Sequence, residues 1–87
     1  MTDQPTDPRD TITDGDFRRA TALLTHYVTN DNPGVLAVIE EAEAADRMRG
    51  LVWGLTGVFI GLSPSWNAQS VPVLREFVRV FAERESA

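Results

Sequence analysis

Apolar residues recur at helical spacing in four stretches of this chain, and clusters of turn-forming residues separate them. Phe17, Ala20, Leu23, Leu24, Tyr27 and Val28 form the first stripe, with spacings of three and four residues. It predicts a helix that starts at Thr13 and ends near Thr29 or Asn30. Thr13 and Asp16 stand at capping-box spacing, and Ile12 with Phe17 hold the positions of a hydrophobic staple. Asn30 to Gly34 reads as a turn in which Asp31 or Asn32 caps the next helix and Pro33 fits its first turn. Val35, Leu36, Val38, Ile39, Ala42 and Ala45 form the second stripe, with Glu40, Glu41, Glu43 and Asp46 on the wet side. Glu43 precedes Arg47 in the favourable order for an ion pair along a helix. No residue from Glu41 to Arg49 breaks a helix outright. An uninterrupted rod from Pro33 to Leu62 would nevertheless be about 45 Å long, so a break near residues 46–49 is expected.

The third stretch, about 47 to 62, is apolar nearly all round. Leu51, Val52, Leu55, Val58, Phe59 and Leu62 cover one broad side, and Thr56 is the only polar side chain after Arg49. A helix apolar on every side is surrounded by protein. Gly50, Gly54, Gly57 and Gly61 fall in one narrow stripe of it, flanked by Trp53 and Ile60. Each glycine costs roughly 1 kcal/mol relative to alanine inside a helix. A bare backbone stripe lets a second helix approach closely, which offsets that cost. Ser63 to Ser70 is a loop with a short helical turn after Pro64. A fourth helix follows from about Ser70 to Arg84, with Val73, Leu74, Phe77, Val78 and Phe81 as its stripe. Arg79 can pair with Glu76 and Glu83 on its wet side. No alternating strand pattern is present. The expectation is an all-α fold: a small four-helix antiparallel bundle around a central glycine-striped helix, with Phe77 and Phe81 closing the core.

Residues 1–11 are polar and acidic with two prolines, and are expected to form a flexible, disordered tail before a single helical domain at 12–87. Eighty-seven residues make a marginal core, and without cysteine neither a disulfide nor a thiolate metal site can reinforce it. Self-association is the remaining route to more buried surface. The formal net charge of −5 removes the electrostatic basis for nucleic-acid binding. Every basic residue is arginine, a codon signature of a GC-rich bacterial genome. The apolar run Leu51–Leu62 is shorter than the ~20 residues of a membrane span. No secretory leader pattern is seen at the start. Together these point to an acidic, cytoplasmic protein with no membrane partner.

Candidate chemistry is sparse. His26 is the only histidine and has no carboxylate three or four residues away, so no helical metal pair can form. Glu40, Glu43 and Asp46 share helix faces, but lack the histidine three residues on that helical carboxylate metal sites use. The glycines lack the lysine and the strand-to-helix setting of a phosphate loop. A helix-turn-helix reading fails because the would-be reading helix offers apolar side chains where base recognition needs polar ones. No catalytic residue, cofactor or metal is therefore expected. The function expected is a non-enzymatic protein–protein interaction module, acting as a homodimer or as a subunit of a larger assembly. Its interface is placed at Gly54, Gly57, Gly61, Trp53 and Ile60. Trp66 either joins that surface or folds back on its own core. A small apolar-ligand carrier with a pocket beside the glycines is the alternative, and an enzyme using Glu40, Glu43 or His26 is the third reading.

Overall fold

The computed structural model describes residues 7–86. They form four α-helices, α1 (Asp14–Val28), α2 (Asn32–Ala44), α3 (Met48–Leu62) and α4 (Val71–Ser86), with 3-10 turns at Pro8–Asp10 and Ala68–Ser70 and no strand. The all-α, four-helix architecture expected from the pattern is the one observed.

Local chemistry sets the boundaries. Thr13 and Asp16 close the capping box: the Asp16 amide donates to Thr13 Oγ1 at 3.2 Å, and the Thr13 amide donates to Asp16 Oδ2 at 2.9 Å. Asp31 caps α2 by accepting from the Gly34 amide at 3.0 Å. α1 and α2 end alike. Past α1, the Asp31 amide reaches back to His26 O (2.8 Å) and the Asn30 amide to Tyr27 O (3.1 Å); past α2, the Arg47 amide reaches Ala42 O (2.7 Å) and the Asp46 amide Glu43 O (3.1 Å). These are paired Schellman bonds, and each needs one left-handed residue. Asn30 (φ 58°) and Asp46 (φ 54°) fill that place, being among the non-glycine residues that tolerate it best. The chain therefore breaks between α2 and α3 within the expected window, with Asp46 ending α2 rather than capping α3.

α1, α2 and α3 pack on one another. Ala20, Val38, Ala42 and Leu51 form the buried apolar centre, with Ala22, Leu23, Met48, Leu55 and Val58 partly buried around it. Among the described residues α4 packs on no other helix and meets only the 3-10 turn before it. Its Phe77 and Phe81 are 51% and 59% exposed, so they do not close the core. α3 is correspondingly not surrounded: Val52, Phe59 and Ile60 remain half exposed on the side away from α1. Residues 1–6 of the expected tail lie outside the described residues. Asp7–Thr11, assigned to the same tail, instead dock on α3. Arg47 donates to Pro8 O (3.2 Å) and Thr11 O (2.9 Å), Arg49 pairs with Asp10 at 2.5 Å, and Trp53 Nε1 donates to Asp10 Oδ1 at 3.0 Å.

Candidate functional site

The glycine stripe faces α1 of the same chain over most of its length. A Cβ on Gly50 would lie 2.5 Å from both Asp16 carboxylate oxygens, and one on Gly54 would lie 3.0 Å from the Asp16 backbone oxygen and 3.4 Å from Ala20 Cβ. A Cβ on Gly57 would meet only the edge of Phe17 at 3.3 Å, and one on Gly61 would meet nothing within 4 Å. The stripe thus does two things. At Gly54 it brings two helix backbones together, and at Gly50 it leaves room for a carboxylate between them. Gly54 is buried in this helix–helix contact, whose second helix is α1 of the same chain. Gly57 and Gly61 remain open to solvent. The room beside Gly50 and Gly54, where a carrier would hold its ligand, is filled by α1.

The carboxylate in that gap is a feature the periodicity did not reveal. Asp16 is fully buried. Its two oxygens accept from the Arg47 guanidinium, one of them from Nε at 3.1 Å, and Arg19 Nη2 adds a contact at 3.3 Å. Arg47 foremost, with Arg19 and the Thr13 amide assisting, holds the Asp16 carboxyl well below the usual carboxylate range against the opposing effect of burial. Arg47 is therefore not paired with Glu43, as its spacing predicted. Glu41 takes Arg18 (2.6 Å) and Arg19 (3.0 Å), which lower its pKa in turn. These ion pairs lock α1 to α2 and α3. Their carboxylates are all engaged by arginines, and one polar atom of the cluster, the buried Arg19 Nε, has no hydrogen-bond partner among the described residues. The only signal for Asp16 in the sequence was its capping role, because Arg47 lies 31 residues away.

The remaining expected residues scatter. Trp53 is 49% exposed, with its indole N–H on Asp10, and Ile60 is 45% exposed on the outer side of α3. Trp66 folds back within its own chain, its ring centroid 6.1 Å from that of Phe59. His26 Nδ1 lies 2.9 Å from Asp31 Oδ2 at the α1–α2 turn, a structural bridge onto the α2 cap with no nucleophile described beside it. Among the described residues no three acidic or histidine side chains converge as a metal site would require.

What does gather is apolar surface. Leu74, Phe77, Val78, Phe81 and Ala82 line an open groove along α4, with Glu85 at its C-terminal end. Val52, Phe59 and Ile60 lie on the outer side of α3, roughly opposite Leu51 and Gly54. Thr56 sits among them with its hydroxyl donated to Val52 O at 2.9 Å, so that side carries no unsatisfied polar group. Apart from the Trp66 ring beside Phe59, α3 and α4 each present an apolar face that no other element covers among the described residues. Comparison with family models, curated proteins and solved structures finds none that matches this chain.

Proposed function

We propose that this chain is a non-enzymatic protein–protein interaction module, a homodimer or a subunit of a larger assembly, working in the cytoplasm of a bacterial cell. One observation carries the reading: α4 is strongly amphipathic, yet its apolar stripe has no partner helix among the described residues. An isolated helix of its 16 residues is marginal in water, and most helical stability in proteins comes from packing an apolar face. Contiguous exposed apolar surface of this kind marks interaction sites. The acidic net charge of −5 favours a protein over nucleic acid as partner. Among the described residues no helix is long and apolar enough to cross a membrane.

Hydrogen exchange tests this reading. A docked α4 keeps its mid-helix amides, around Val78 to Phe81, protected well beyond the rate of a fraying helix, and the protection rises with protein concentration or with added partner. Exchange of those amides at the unprotected rate under every condition would contradict it.

A further inference from the structure

Building on that reading, we infer that the partner is a second copy of this chain, with α4 of each copy seated on the outer face of α3 of the other. The chain carries both halves of a complementary pair and does not close them on itself. One half is the Val52–Phe59–Ile60 side of α3, and the other is the Leu74–Phe77–Phe81 stripe of α4. The connection holds them apart. Trp66 packs on Phe59, Asn67 accepts from the Gln69 amide at 2.8 Å, and the resulting 3-10 turn runs directly into α4.

Charge permits the docking. The ion pairs of α4 join Arg79 to Glu76 and Glu83 about opposite the stripe, so they stay in water when it is seated, and Arg84 over Phe81 and Glu85 at the C-terminal end of the groove are the charges that the docking must leave at its rim. The surface area fits as well. A compact monomer of 9.6 kDa exposes roughly 5,100 Å². This chain exposes 6738 Å², an excess of roughly 1,600 Å². A standard interface covers about 800 Å² on each partner, so the surplus is enough to supply one symmetric exchange. Two-fold symmetry is satisfied automatically, because each copy gives one stripe and receives one.

The chain has no cysteine, so single cysteines report position cleanly. Ile60→Cys and Val78→Cys chains, both at exposed positions, are mixed and oxidised, with helicity checked by circular dichroism. The exchange predicts at least tenfold more disulfide-linked dimer in the mixture than in either chain alone. Dominant linkage in Val78→Cys alone would mean α4 pairs with α4, and would overturn the exchange. Linkage within the doubly substituted chain at high dilution, running as a monomer, would mean α4 closes on its own α3, and would overturn it too. A third result would reject the second copy while leaving the interaction reading for a different partner. In it the chain stays monomeric and unlinked, and binds a hydrophobic dye that Phe77→Asp abolishes.

Discussion

Asp16 shows how much one residue can carry in a core this small. It completes the α1 cap, fills the gap that Gly50 leaves, and anchors Arg47, which in turn holds Pro8 and Thr11. Removing one partner of a buried pair strands the other, so Asp16→Asn should cost about 3 kcal/mol at neutral pH in a denaturant titration. Because the folded carboxyl titrates below its unfolded value near 3.9, its stabilisation is complete above that value and drains away as the pH falls beneath it. Wild type should therefore lose its advantage over Asp16→Asn on acidification below about pH 4, and an unchanged gap would contradict the assignment. The glycines are not equivalent either. Gly54→Ala pushes a Cβ against the Asp16 backbone and should destabilise by 1–3 kcal/mol, that is, about the cost of overpacking. Gly61→Ala meets open space and should stabilise by roughly 0.5–1 kcal/mol. Thermal melts of the two variants should move in opposite directions. The stripe itself was legible from spacing. Its tightest point was not, since that depends on where a helix 38 residues away crosses it.

Helix boundaries were the most legible level, because local hydrogen bonds set them. Thr13–Asp16, Asp31 and the Arg79 pairs all appear as the spacing predicts. The break after α2 illustrates the limit. No glycine or proline marks it, and Asp46 supplies the left-handed turn instead. Asp46→Ala should cost about 1 kcal/mol in thermal or chemical unfolding, whereas Asp46→Gly should be close to neutral. Equal losses in both variants would mean that the Asp46 side chain, rather than its backbone conformation, matters at that position. The Glu43–Arg47 pairing failed for the opposite reason: a fully buried carboxylate competes for Arg47 more strongly than an exposed one on the same helix.

At the scale of the molecule, the shape carries the argument. The Cα radius of gyration is 15.5 Å, against about 12 Å for a compact chain of this length. The expansion goes with α4, which leaves the three-helix unit with its apolar face bare. Sequence pattern told that α3 and α4 need covering. It could not tell that no helix among the described residues covers α4, because periodicity names the face of a helix and not what faces it. Solution mass by light scattering, across low to high micromolar concentration, tests this most directly. The account predicts a species at twice 9.6 kDa, reduced to the single-chain mass by Phe77→Asp with α1–α3 still folded. A wild-type chain that holds the single mass throughout, with helicity unchanged by Phe77→Asp, would contradict it.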